Sequence, residues 1–170
     1  MFQKGDVIVH PKYGVGTVSD VRTMSYKGSE RQYFCISLIH NRGELMIPKD
    51  RVEQAGLRLP LRDTAIFEAI MKDSPHTLED DPRIRQQVIE NKLNSGDYRQ
   101  LMETLRDLCW REHIAKLSVK DRQLKESALN RLYEELTLGT AMTGEAAKHT
   151  LADIIESAMQ RHLAAGVGAS

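Results

Sequence analysis

The spacing of apolar residues changes character near Leu59-Pro60. Before that point apolar positions alternate with polar ones in short runs. After it they recur every three or four residues. Alternation marks half-buried strands, and a three-to-four spacing marks helices. In the first part, Gly5-Asp6 is a turn signal ahead of Val7 and Val9, which alternate with Ile8 and His10. Pro11 has no backbone donor and ends that pairing. Gly14 and Gly16 bracket Val15 and allow a sharp bend or bulge before Val18. Residues 17–24 alternate loosely. Phe34, Ile36 and Leu38 share one strand face; Leu45 and Ile47 point inward and Met46 outward. Lys27-Gly28-Ser29 and Asn41-Arg42-Gly43 are turns. Short strands with frequent turns predict a small, strongly bent β-barrel over residues 1–59.

Residues 60–165 predict an all-α domain of about five helices, so the fold class is α+β. The first helix, 64–72, places Ile66, Phe67, Ile70 and Met71 on one face. Asp73-Ser74-Pro75-His76 breaks it. Pro82 opens a second helix, where the first turn needs no donor. That helix carries Ile84, Val88, Ile89 and Leu93. Gly96 suits a left-handed cap and Asp97 caps a third helix through Leu101, Leu105, Leu108 and Ile114. Ser118 with Asp121 forms a capping box, with Asp in place of Glu, for a fourth helix through Leu124, Leu129, Leu132 and Leu136. Gly139-Thr140 ends it, and Thr143 caps a fifth helix with Leu151, Ile154, Ile155 and Met159. Residues 166–170 form a frayed tail.

Charge narrows the function. There are 24 Lys and Arg against 24 Asp and Glu, so no global basic field exists for binding nucleic acid unaided. Positive charge is concentrated between residues 83 and 131, with 11 Lys or Arg against 7 Asp or Glu. No apolar run is long enough to span a membrane, and the N-terminus lacks a signal peptide's apolar core. Cys35 and Cys109 lie far apart, show no metal-ligand spacing, and fit buried thiols in a reducing cytoplasm. The barrel glycines lack the lysine and the following helix of a phosphate loop. The six histidines form no His-Glu-x-x-His array, and no Gly-x-Ser-x-Gly elbow occurs. Each histidine reads as a surface or turn residue. No metal or cofactor is expected, and no catalytic residue.

The ordered set Phe2-x-x-Gly5-Asp6-x-Ile8-Val9-His10-Pro11-x-x-Gly14-x-Gly16, then Tyr26-Lys27-Gly28-Ser29, then Met46-Ile47-Pro48 and Ala55-Gly56-Leu57-Arg58, resembles the CarD/CdnL family of bacterial transcription regulators. Their Tudor-like barrel also occurs in transcription-repair coupling factors as the RNA-polymerase-interacting module. Asn94-Ser95-Gly96-Asp97, Leu105-Arg106-Asp107-Leu108, Leu117-Ser118 and Asp121-Arg122 extend the resemblance through the helical domain.

The resemblance implies a monomeric cytoplasmic regulator with two contacts. The barrel would dock on the RNA polymerase β subunit by adding a strand edge to it, a mode in which backbone bonds give affinity and alternate side chains give selection. The matching edge is Arg22, Thr23, Met24, Ser25, Tyr26 and Lys27, beside Met46. The family often carries arginine where this chain has Met24 and Met46, and an apolar residue in place of Tyr26. An adaptable methionine anchor would then replace charge pairs and weaken the salt dependence. The alternative is that these methionines only cover the barrel.

The second implied contact is promoter DNA at the upstream edge of the bubble, where family members place a tryptophan at the start of the second helix. Counting back from Ser95-Gly96-Asp97, that position is Pro82, a smaller apolar residue that can still wedge a base step. Trp110 lies in the next helix and reads as core. Arg83, Arg85 and Arg122 are the basic residues placed to position phosphates. Asp80, Asp81 and Asp121 weaken the local field. Three readings stay open: a regulator of open-complex stability, a polymerase-bound protein adaptor or competitor of a paralogue, and a barrel that reads an unrelated peptide.

Overall fold

The computed structural model of the chain describes residues 1–39 and 43–166, with the backbone alone at Tyr26. It has two compact units, Met1–Pro60 and Leu61–Ser170. Asn41 and Arg42 of one expected turn, and the tail beyond Gly166, lie outside the described residues.

The first unit is a four-stranded antiparallel meander in the order β1-β2-β3-β4, with β1 Val7–His10, β2 Gly14–Tyr26, β3 Ser29–Leu38 and β4 Glu44–Pro48. After β4 a short 3-10 turn, Lys49–Arg51, leads back towards β1. There the Val9 amide donates to the Arg58 carbonyl at 2.8 Å and the Arg58 amide returns the bond at 3.2 Å. The chain therefore curls around a core of Ile8, Val18, Phe34, Ile36 and Ile47, as expected of a Tudor-like barrel.

Two glycine roles differ in kind. Lys27 (φ 50°) and Gly28 (φ 77°) form a two-residue hairpin turn with both residues left-handed, so Ser29 already pairs with Tyr26 instead of belonging to the turn. Gly16 does not bend the strand. It lets β2 approach β3: a Cβ there would meet Ile36 Cγ2 at 2.7 Å and the Ser37 carbonyl at 3.0 Å. Gly16→Ala is therefore expected to destabilise the barrel by about 1–3 kcal/mol through forced backbone movement, read as a lower urea midpoint. The bulge itself falls between Val18 and Asp20.

The second unit contains α1 Ala65–Lys72, α2 Pro82–Asn94, α3 Tyr98–Ile114, α4 Val119–Gly139 and α5 Gly144–Ala164. Phe67, Ile70, Ile89, Leu105, Leu132 and Leu151 belong to its shared core. The helix starts follow side-chain capping. Asp81, Asp97, Ser118 and Thr143 each accept from an amide in the first turn, and Ser118 with Asp121 completes a capping box. Pro82 occupies the first position of α2. Not every periodic apolar residue turns inward. Ile66, Ile84, Val88 and Ile114 are exposed, because α1, α2 and α3 each bury a narrower stripe than their apolar content allows. Trp110 is buried and meets His162 edge-on at 6.0 Å. His162 is thus neither a surface nor a turn residue: its Nε2 lies 2.8 Å from the Met71 carbonyl inside the bundle.

Candidate functional site

The first candidate surface is the outer half of β2. β1 pairs with β2 only from Gly14 to Thr17, and β3 covers the other side of β2 along its length. Beyond the bulge, the β1 side of β2 has no strand beside it among the described residues. The two-residue turn makes Tyr26 and Ser29 the closing hydrogen-bonded pair of the hairpin. Alternation then turns the backbone groups of Arg22 and Met24 towards β3 and those of Val21, Thr23 and Ser25 outward. The Val21 amide is taken by its neighbour, donating to Asp20 Oδ1 at 2.9 Å. Among the described residues the Thr23 and Ser25 amides have no partner. An open edge of this kind is a template for another strand.

The opposite edge of the hairpin is blunted by the ion pair between Arg31 Nη2 and Asp50 at 2.5 Å.

Register also sorts the side chains. Asp20, Arg22 and Met24 share one face with Cys35, Tyr33 and Arg31 opposite them, and with Met46 and Pro48 across β3. This face points away from Phe34, Ile36 and Ile47. Met24 is 47% exposed and Met46 37%. They are four β3 positions apart, with Tyr33 between them, so the methionines do not touch as one patch. Arg22 is held in place, with Nε 3.3 Å from Asp20 Oδ2 and Nη1 3.3 Å from Glu44 Oε2. The Val21 amide, and after it the Arg22 guanidinium, keep the Asp20 carboxyl below its ordinary range. The Tyr26 side chain lies outside the described residues, and Lys27 sits in the turn. Sequence patterning included Thr23 in the edge but missed Tyr33 on the outer face. Counting strand parity back from the Lys27-Gly28 turn locates Tyr33 there and turns the Thr23 amide outward.

The second candidate surface lies where α2 and α4 begin. Pro82 and Arg83 are exposed there, and so is Arg122 on α4. Neither the Arg83 nor the Arg122 guanidinium has a partner among the described residues. Arg85 is a correction: only 4% exposed, it cannot position phosphates. Its Nη2 donates to Asp121 Oδ2 at 2.8 Å and its Nε to Oδ1 at 3.3 Å. Its Nη1 donates to the carbonyls of Glu79 and Asp80 at 2.8 and 2.9 Å. Arg85 therefore ties the loop before α2 to the first turn of α4. Gln86 adds a bond to the Ser118 hydroxyl at 3.3 Å. Burial pushes the Asp121 carboxyl up, but Arg85 and the two Ser118 bonds together outweigh that and hold it below its ordinary range.

A second buried cluster fixes the loop itself. Arg106 Nε and Nη2 donate to Asp107 Oδ1 at 2.9 and 2.8 Å, and the His76 amide donates to the same oxygen at 2.9 Å. Burial raises both thiols, Cys109 to about 11, so neither cysteine is an activated thiolate at neutral pH. Among the described residues no three His, Cys, Asp or Glu side chains gather as metal ligands, and no helix is long and apolar enough to cross a membrane.

A barrel with an open strand edge, followed by a helical unit with exposed arginines at two helix starts, defines a class of binding protein that works through surfaces. Comparison with known families makes the class specific. The CarD-like/TRCF RID domain matches residues 2–59, and the CarD C-terminal domain matches residues 66–152. The chain belongs to the CarD family, regulators of transcription that act through RNA polymerase. It is also 25% identical over 146 residues to the Bacillus subtilis (strain 168) protein named "Putative transcription factor YdeB", covering 84% of this chain and 95% of that one.

Proposed function

We propose that this protein binds the β subunit of RNA polymerase through the open edge of β2 and contacts promoter DNA near the upstream edge of the bubble through the α2–α4 junction. The outcome is a changed lifetime of the melted promoter complex, with no substrate turned over. The observation that carries the reading is the edge: two outward amides, at Thr23 and Ser25, have no partner among the described residues and stand beside exposed Met24. Arg22, Met24, Ser25, Tyr26, Lys27 and Met46 form the polymerase side. Pro82, Arg83 and Arg122 form the DNA side. Attachment to polymerase raises the local concentration of the helical unit at the promoter, which lets a chain of zero formal net charge reach DNA.

The test is the lifetime of a competitor-challenged open complex, with and without saturating protein, and with β binding measured in the same samples. The Arg83→Glu, Arg122→Glu double variant is expected to reduce the effect on lifetime by roughly three- to tenfold, on the scale of two lost phosphate contacts, with β binding retained. Arg85 is left out of this test because reversing a buried charge would disturb folding.

A second reading, a protein adaptor that leaves DNA alone, is favoured by Ile84 and Val88. These stand one turn apart on α2 as an exposed apolar stripe that a protein partner would cover. An unchanged lifetime effect in the double variant decides for it.

A further inference from the structure

We infer that the cavity between α1 and α5 is a binding site for a small linear zwitterion of the dipeptide class. Binding there involves neither polymerase nor DNA. The cavity measures about 360 Å³ and lies inside the helical unit. That size falls in the range of pockets that hold small ligands. Its α5 wall lies beyond the family match: Asp153, Ser157 and Arg161 all follow residue 152, where the CarD C-terminal domain match ends.

What marks the cavity is the sorting of its charges. His162 Nε2 is 2.8 Å from the Met71 carbonyl, which fastens the C-terminal ends of α1 and α5 together. Lys72 and Arg161, each next in sequence to one member of that bond, line the cavity at this end. Glu68 stands one turn back along α1, and Asp153 two turns back along α5. Two cations therefore border one end and two carboxylates the other. Glu68 and Lys72 have the spacing and the order that favour an ion pair along a helix. They do not form it: Glu68 Oε1 instead accepts from the Thr64 hydroxyl at 2.8 Å. The side chains of Lys72, Asp153 and Arg161 have no partner among the described residues. Unpaired charges of opposite sign, set at opposite ends of one cavity, complement a ligand that carries both.

Spacing and wall chemistry select the ligand. Glu68 and Lys72 are four residues apart, about 6 Å of helix rise. The ammonium and carboxylate of an extended dipeptide are also about 6 Å apart, one Cα–Cα step plus a bond at each end. A single amino acid brings its two charges too close together. Ser157, midway between Asp153 and Arg161, offers a hydroxyl to the central amide. Met71, Ile154 and Ala158 supply the apolar part of the wall and suit an aliphatic side chain. The ammonium then meets Asp153 and Glu68, and the carboxylate meets Arg161 and Lys72. Such charge-assisted contacts are about twice as strong as neutral ones.

The test is isothermal titration of the full chain with the dipeptide Ala-Leu, for which saturable one-to-one binding is expected. N-acetyl-Ala-Leu lacks the ammonium, and Ala-Leu amide lacks the carboxylate. Each should bind at least about tenfold more weakly, the scale of a lost hydrogen bond to a charged group. Asp153→Asn and Arg161→Gln alter exposed α5 positions and should leave the circular dichroism spectrum unchanged. Asp153→Asn should weaken Ala-Leu binding by about tenfold yet barely change binding of the N-acetyl peptide. Arg161→Gln should do the same with the amide as its insensitive partner. The site is ruled out if Ala-Leu shows no saturation at millimolar concentration, or if both variants bind it as the parent does.

Discussion

Arg85→Ala is expected to destabilise the helical unit by about 3–5 kcal/mol, because it leaves the Asp121 carboxylate buried without its counter-charge. Asp121 is fully buried, and Arg85 supplies two of its hydrogen bonds and its only ion pair among the described residues. Two carbonyls at Glu79 and Asp80 would lose their donor as well. The measurement is urea unfolding followed by far-ultraviolet circular dichroism, which reports mainly the helices. Replacing both partners, Arg85→Met with Asp121→Leu, should recover only part of the loss: it removes the unpaired buried charge, but the Glu79 and Asp80 carbonyls stay without their donor and the Ser118 amide without its capping-box acceptor.

The pH dependence follows from the lowered Asp121 value. A carboxyl whose folded value lies below its unfolded value stabilises the fold above the unfolded value and loses that contribution as pH falls through the folded one. Stability of the parent protein should therefore drop on acidification below the ordinary carboxylate range, and Asp121→Asn should flatten that part of the curve. A variant curve as steep as the parent's would mean that other carboxyls carry the acid sensitivity.

This pair also shows where sequence reading stops. Arg85 and Asp121 are 36 positions apart, and nothing local distinguishes Arg85 from Arg83. Both look like basic residues on an opening helical turn. Only the fold shows that one enters the α2–α4 seam while the other meets solvent. Short-range chemistry was legible. Pro82 at the first turn, Asp97 and Thr143 as caps, and the Ser118–Asp121 capping box involve residues at most three apart. So was the strand alternation around Phe34 and Ile36, because period two needs no knowledge of the partner strand. The exposure of Ile84 and Val88 was not legible, because apolar spacing alone does not say how wide a stripe the bundle covers. Gly16 reads in the sequence as allowing a bend or bulge because its contact, Ile36, belongs to another strand.

Thr23→Pro is expected to weaken binding to the β subunit by at least about tenfold while the barrel stays folded. Proline removes the donor that strand addition requires, and each lost backbone bond in a dry interface costs about 1–3 kcal/mol when its acceptor is left unmet. The barrel should tolerate the change because the Thr23 amide points away from β3 and has no partner in the described structure. Proline is accepted in strands at such edge positions. Met24→Pro is the contrasting variant: its amide faces β3, so it should unfold the hairpin as well as abolish binding. A Thr23→Pro protein that is folded and binds β as tightly as the parent would exclude strand addition at this edge. The outer face formed by Arg22, Met24, Tyr33 and Met46 would then be the surface to test next, since its side chains could dock on a partner without any backbone pairing.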